Sequence, residues 1–274
     1  MISFTLPMLA STVSAAAGGE GQNPFEYLFG HVVAYQVGEF VSLPVWQFQV
    51  FQVAAIVAIF LAFAPVKRAV VQGGGGYFTK VLAGWVSWIR DEMVYPNLGE
   101  TDGKKMMPFF LSLFFFIMFM NVFGLIPGGY TATASVYVAA GLACIILVMM
   151  IFGGMLIQGP LKFWASLIPS GVPGWLLPLI FPLEVIGLFI KPIALTVRLA
   201  ANMTGGHLVL LSFMGLAFYF GSSYGTALGL AVTPVSLGLA IFIMIIEGFV
   251  ALLQAYIFTL LSIIFVSQAL HPDH

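Results

Sequence analysis

Five ionisable side chains stand inside long apolar stretches in the second half of the chain: Glu184, Lys191, Arg198, His207 and Glu247. The amides Asn202 and Gln254 accompany them. Charge inside a bilayer costs stability and faces protein or water, so such residues point to the passage of an ion or substrate. Arg198 is the most costly. Ile193, Ala194, Leu195, Val197, Leu199, Ala200 and Ala201 surround it in sequence, and a guanidinium keeps its charge at any physiological pH. Placing one at a bilayer centre costs about 2.5–3.5 kcal/mol on insertion scales. Something must offset that cost.

The spacing arranges these residues. Glu184, Lys191 and Arg198 are seven apart, so they drift only about 20° per step and share one helix face. Asn202 lies one turn beyond Arg198, and Gly205 and Gly206 allow a neighbouring helix to come close. His207 points to the opposite side, roughly 13 Å further along the axis, whereas Glu184 lies roughly 21 Å the other way. Glu247 and Gln254 are again seven apart, hence on one face. If the two apolar stretches fold as a hairpin, a turn centred on residue 226 puts Arg198 level with Gln254. A turn centred on 227 puts His207 level with Glu247. Two polar levels form: Arg198, Asn202 and Gln254 near the middle, and His207 with Glu247 beyond. Polar pairs also glue membrane helices, and His207–Glu247 alone permits that reading; the full constellation with Arg198 argues for more. No carboxylate of this chain sits at the level of Arg198, so a partner from another subunit is expected.

The elements that carry these residues are membrane helices. The chain is 61% hydrophobic and 7% charged over 274 residues, against roughly a quarter charged in soluble domains. The expected fold is an all-α integral membrane protein with five membrane-crossing helices and one amphipathic surface helix. The first span covers about residues 46–65, the second 108–127 with Asn121 inside it, and the third 134–158. Between the first two, "QGGGG" (72–76) is a flexible break. "YFTKVLAGWVSWIRDEMVYP" (77–96) is too polar to span; it reads as a surface helix with Trp85 and Trp88 at headgroup level. The stretches 175–220 and 226–270 each exceed 40 residues where a span needs about 20. The turn cluster "GSSYG" lies between them and not within either, so they are read as one long, strongly tilted hairpin. Residues 1–40 form a leader on the outer side, and 41–274 a single helical membrane domain.

Orientation follows from the basic residues. Lys67, Arg68, Lys80, Arg90, Lys104 and Lys105 lie between the first two spans, and residues 1–66 have none. The N-terminus is therefore expected outside and the C-terminal "HPDH" in the cytoplasm. The first residues have a short apolar run and an Ala-rich end but lack the basic region of a cleaved signal, and they read as a loose or interfacial leader. Cys144 stands alone, which excludes an internal disulfide and a Cys-based metal site. No basic cluster suggests nucleic acid.

The segments "KPIALTVRLAANMTGGH" (191–207) and "EGFVALLQAYIFTLLS" (247–262) resemble subunit a of the F-type ATP synthases; "PFFLSLFFFIMFMNVFGLIPG" (108–128) does so more weakly. The resemblance covers roughly residues 40–270. The departures are mild: Ala200 and Ala201 stand where that family often has a bulky residue and a glycine. The resemblance implies a helical stator whose long hairpin curves around a rotating ring of c subunits, held by peripheral-stalk b subunits. It implies that Arg198 meets the mid-membrane carboxylate of each passing c subunit and favours its ionised form. It also implies two separate half-channels. The outer one uses His207 and Glu247, both suited to proton relay, with Asn202 near its inner end; Gln254 accompanies them. The inner one opens past Glu184. Lys191 and Asn121 have possible supporting parts. The chain holds no phosphate-binding Gly-Lys-Ser/Thr motif, so no cofactor and no direct ATP binding are expected, and the location implied is a bacterial inner membrane. A secondary cation transporter would show broken helices and an internal repeat, and no repeat is evident. A membrane scaffold without transport would tolerate Arg198→Ala.

Overall fold

The computed structural model describes residues 36–40, 43–72, 76–126, 131–168 and 173–271. Most of the expected leader, the glycines 73–75 of the flexible break and the last three residues lie outside that set. Among the described residues, five helices are long and apolar enough to cross a membrane, as expected from composition. They follow a short β-hairpin that the sequence reading did not include. Strands β1 (Gln36–Phe40) and β2 (Leu43–Trp46) pair antiparallel, with Glu39 opposite Pro44 and Phe40 opposite Leu43. The register shifts between Gln36 and Gly38, where a glycine accommodates the irregular backbone.

Helix α1 (Gln47–Gln72) carries the first span. Helix α2 (Tyr77–Trp88) starts the expected amphipathic helix of residues 77–96. It continues through a π-helical turn at Ile89–Val94 directly into α3 (Tyr95–Leu125), and the run breaks only at Gly99, where φ is +72°. The helical spacing that marked one face is present: Leu82, Ile89 and Met93 are buried. Trp85 is half-buried and Trp88 exposed, and both make ring contacts. Trp85 lies 5.7 Å from Phe114, and Trp88 lies 5.5 Å from Tyr256, between ring centroids. Helices α4 (Val136–Gln158) and α5 (Pro160–Ser166) follow, joined at Gly159. The long helices α6 (Leu177–Tyr224) and α7 (Thr226–Leu270) complete the chain, each unbroken as read from the sequence.

Two compact units make up the chain. The larger holds Ala34–Gly206 and Met244–His274. Its core is built on α3, where Phe110, Phe114, Phe115, Ile117 and Met120 are buried against residues such as Ile146, Phe163 and Phe258. In a bilayer such contacts stabilise by dispersion and close packing, because lipid tails are as apolar as leucine. The described part of the smaller unit is His207–Ile243. There the chain reverses at Gly225, with φ of +99°, a conformation that L side chains rarely adopt. The turn falls within one or two residues of the expected centres at 226 and 227.

Candidate functional site

In the larger unit, α7 presents one buried stripe: Glu247, Ala251, Gln254, Ala255, Phe258, Ser262 and Val266. Intervals of three and four residues put all of them on one side. The expected shared face of Glu247 and Gln254 is thus present and turned inward, at 4% and 1% exposure. On α6 the buried stripe is Leu188, Leu195, Leu199 and Met203. Glu184, Lys191 and Arg198 run beside it, each four or three residues from a buried leucine. Glu184 and Arg198 are exposed and Lys191 is half-buried.

The two helices meet through polar contacts. Asn202 Nδ2 donates to Gln254 Oε1 at 3.0 Å. Gly206 faces Glu247 so closely that a Cβ at that glycine would stand 2.8 Å from Oε1. A side chain there would displace the Glu247 carboxylate. Toward the open end of the hairpin, Lys191 Nζ donates to Gln268 Oε1 at 3.0 Å and lies 5.3 Å from the centroid of the Phe265 ring. Gln254 therefore meets Asn202, expected on the same polar level, and not Arg198, which lies one turn away. Counting residues one-for-one from the turn assumes parallel axes; helices that cross at an angle drift out of step. Arg198 itself has no hydrogen-bond or ion-pair partner among the described residues. His207 belongs to the smaller unit, where it is half-buried on α6.

Asn121 is buried at the end of α3. Its Nδ2 donates to the carbonyl of Ala251 at 3.1 Å, and its Oδ1 accepts from the hydroxyl of Thr133. It joins α3 to the α7 turn between Glu247 and Gln254. The sequence marked Asn121 as an intramembrane amide, but Thr133, twelve residues on, carried no signal of its own.

Glu184 and Lys191 line an open cleft with Leu188 of α6, Phe163 of α5, and Phe265 and Gln268 of α7. Beyond it, the C-terminal end of α7 is tied down. Gln158 Nε2 donates to the Ala269 carbonyl at 2.7 Å, and the Ser267 hydroxyl donates to the Asn97 carbonyl. His271 Nε2 lies 3.0 Å from Asp102 Oδ2, and Lys105 Nζ lies 3.3 Å from Oδ1. The hydrogen bond to His271, then that to Lys105, holds the Asp102 carboxyl below the usual carboxylate range. Sequence reasoning missed this cluster, because its members are 169 residues apart along the chain. Among the described residues, no group of three or more His, Cys, Asp or Glu stands together as a metal site would require.

Polar residues on a long two-helix hairpin, an arginine without a partner among the described residues and a glycine pressed against a buried glutamate can also be compared with known sequences. A family model described as ATP synthase A chain matches residues 47–267. The chain belongs to this family. The matched region takes in Asn121, Glu184, Lys191, Arg198, Asn202, His207, Glu247 and Gln254. ATP synthase subunit a of Myxococcus xanthus is 38% identical over 212 residues, covering 76% of this chain and 66% of that protein. The subunit a of Rhodopseudomonas palustris is 40% identical over 222 residues, covering 79% of this chain and 87% of that protein. That of a Methylobacterium is 33% identical over 248 residues, covering 90% and 93%. Among the most similar relatives, the chain spans about half to two thirds of their length. Family and helices together make this an integral membrane protein with bacterial relatives.

Proposed function

We propose that this chain is the proton-translocating stator subunit of an F-type ATP synthase in a bacterial inner membrane. Arg198 couples ion flow to rotation of a c-subunit ring, and ATP is made or hydrolysed on other subunits. The observation that carries this reading is the setting of Arg198. It stands exposed beside the buried stripe of α6, without an internal partner among the described residues, in a chain of this family. A fixed cation on an outer helix face needs a passing anion, and a carboxylate on each c subunit supplies one. Meeting Arg198, that carboxylate favours its ionised form and releases its proton. The guanidinium also repels a hydronium that would leak straight across, and lysine is a poorer choice because burial can neutralise it.

The outer half-channel runs by His207 and Glu247, with Asn202 and Gln254 near its inner end. The bond between those two amides and the close approach of Gly206 to Glu247 support a narrow polar route on this side. The inner half-channel opens past Glu184, and the cleft that Glu184 lines supports it. Asn121 fixes the α7 backbone between Glu247 and Gln254. The partners are the c ring, peripheral-stalk b subunits, the lipid bilayer and protons, with neither nucleic acid nor bound ATP.

The test is ATP-driven proton pumping in membrane vesicles carrying Arg198→Ala, with assembly checked by pull-down of the c ring. Loss of pumping in an assembled complex is the expected result. Normal pumping by an assembled complex overturns the coupling role of Arg198.

A further inference from the structure

The connection between α3 and α4 touches both arms of the long hairpin. Thr131, Ala132 and Thr133 are all buried, and Ala132–Ala134 form a 3₁₀ turn. Two contacts bind this turn to α3. Thr131 packs on Gly124, where an added Cβ would collide with its hydroxyl. The Thr133 hydroxyl donates to Asn121 Oδ1. From there the turn reaches the hairpin on two sides. Asn121 Nδ2 donates to the Ala251 carbonyl of α7 at 3.1 Å, and the Thr204 hydroxyl of α6 donates to the Ala134 carbonyl at 3.3 Å. Thr204 and Ala251 both lie near the midpoint of their helices. In a bilayer, non-helical backbone is tolerated where protein buries it or where it lines a water-filled cavity.

Both contacts fall at one level of the hairpin. Thr204 stands midway between Asn202 and Gly206, and Ala251 stands between Glu247 and Gln254. The turn therefore meets α6 and α7 between the Asn202–Gln254 bond and the close approach of Gly206 to Glu247. Those two contacts do little to fix their own spacing. Among the described residues, Gln254 Oε1 is held by Asn202 and its Nε2 has no partner, and Gly206 has no side chain to anchor it. We propose that Thr133 and Thr204 are positioning residues. Through the turn between α3 and α4 they fix the separation of α6 and α7 where Asn202, Gln254, Gly206 and Glu247 meet, and so keep the polar route conductive. Both hydroxyls are uncharged, so the clamp sets geometry without placing a competing charge beside the route. This rests on the reading of that level as the outer half-channel.

The experiment uses inverted membrane vesicles with the complete complex. ATP-driven proton uptake is divided by the amount of this subunit that retains its c ring, and the melting temperature of the solubilised complex is read beside it. Thr133→Val keeps the shape and removes the hydroxyl; it is expected to lower uptake per assembled complex about three- to tenfold. Thr133→Ser, which keeps the hydroxyl, stays near the parent. Thr204→Val, which leaves Asn121 and its bonds intact, lowers uptake in the same direction, and Thr204→Ser does not. The double variant Asn121→Leu with Thr133→Val separates packing from positioning. Replacing both partners by apolar groups removes the unpaired buried atom, so melting recovers relative to Thr133→Val. Uptake stays low, because the link to the Ala251 carbonyl is gone. Parental uptake by an assembled Thr133→Val or Thr204→Val complex overturns the proposal, and so does recovery of uptake together with melting in the double variant. If Thr133→Val does not assemble, the half-buried Thr204 decides through its valine and serine variants alone. Gln254→Leu is measured alongside. If it pumps like the parent, the outer route at this level fails as well; if it loses pumping while Thr133→Val and Thr204→Val do not, only the clamp fails.

Discussion

Arg198, Lys191 and Asp102 carry charge in three different settings, and the setting decides what each can do. Arg198 has no internal partner among the described residues and suits a transient one. Lys191 is tethered and acts as a fixed charge. Asp102 is clasped by His271 and Lys105 and serves to hold the C-terminal end of α7 against the start of α3. Because its folded-state pKa is depressed, its contribution to stability is present above the ordinary carboxylate range near 4. It is lost as pH falls through the lower folded value. The ring of His271 and the ammonium of Lys105 are exposed, so the effect is small, at most about 1 kcal/mol. Asp102→Asn is expected to lower the melting temperature of the detergent-solubilised complex by a degree or two at pH 7. The gap between variant and parent should narrow as pH falls below the ordinary carboxylate range. Thermal melts across falling pH measure it, and a gap that stays unchanged would assign the effect to packing.

The long helices show what an element's sequence discloses. Their lengths, the absence of a turn cluster inside either, and the cluster between them were enough to place one hairpin with a turn near 226; the turn is at Gly225. The shared face of Glu247 and Gln254 was equally legible, since it depends only on helical period. Contacts between helices were not. The pairing of Gln254 with Asn202 depends on how two axes cross, and the Asn121–Thr133 bond on a loop conformation; neither is written in local spacing. The expected helix over 77–96 already held Arg90, Asp91 and Glu92, which a π-turn carries onward; its direct run into α3 as far as Gly99 was not legible, because local spacing does not show how two helices join. Gly225 gives the element-scale prediction. With φ at +99°, Gly225→Val forces a β-branched residue into a region it avoids, at a cost of about 1–3 kcal/mol. Less subunit should assemble, and the solubilised complex should melt earlier, with Gly225→Asn milder than Gly225→Val. Equal melting of parent and Gly225→Val complexes would show that the turn relaxes without strain.

At the scale of the whole molecule, orientation across the membrane links the residues to their roles. A straight helix of 48 residues is about 72 Å long, more than twice the hydrocarbon thickness of about 30 Å, so α6 and α7 have length to spare for polar groups at several depths. Which group meets which side depends on topology. Six of the nine basic residues lie between the first two spans, and basic segments stay in the cytoplasm. In the proposed orientation, with the N-terminus outside, five crossings put Lys105, Lys162 and His271 inside and the turn at Gly225 outside. In that orientation the proposal assigns Glu184 to the inner half-channel and His207 and Glu247 to the outer one. Cysteine labelling in a Cys144→Ser background tests this. Lys105→Cys, at an exposed side chain, should react with a membrane-impermeant maleimide only in inverted vesicles, and Ser223→Cys, beside the turn, only in intact spheroplasts. The reverse pattern would exchange the two half-channels, making Glu184 the outer group and His207 and Glu247 the inner ones. Labelling of both positions from one side would mean that the α3-to-α6 segment crosses the bilayer a different number of times.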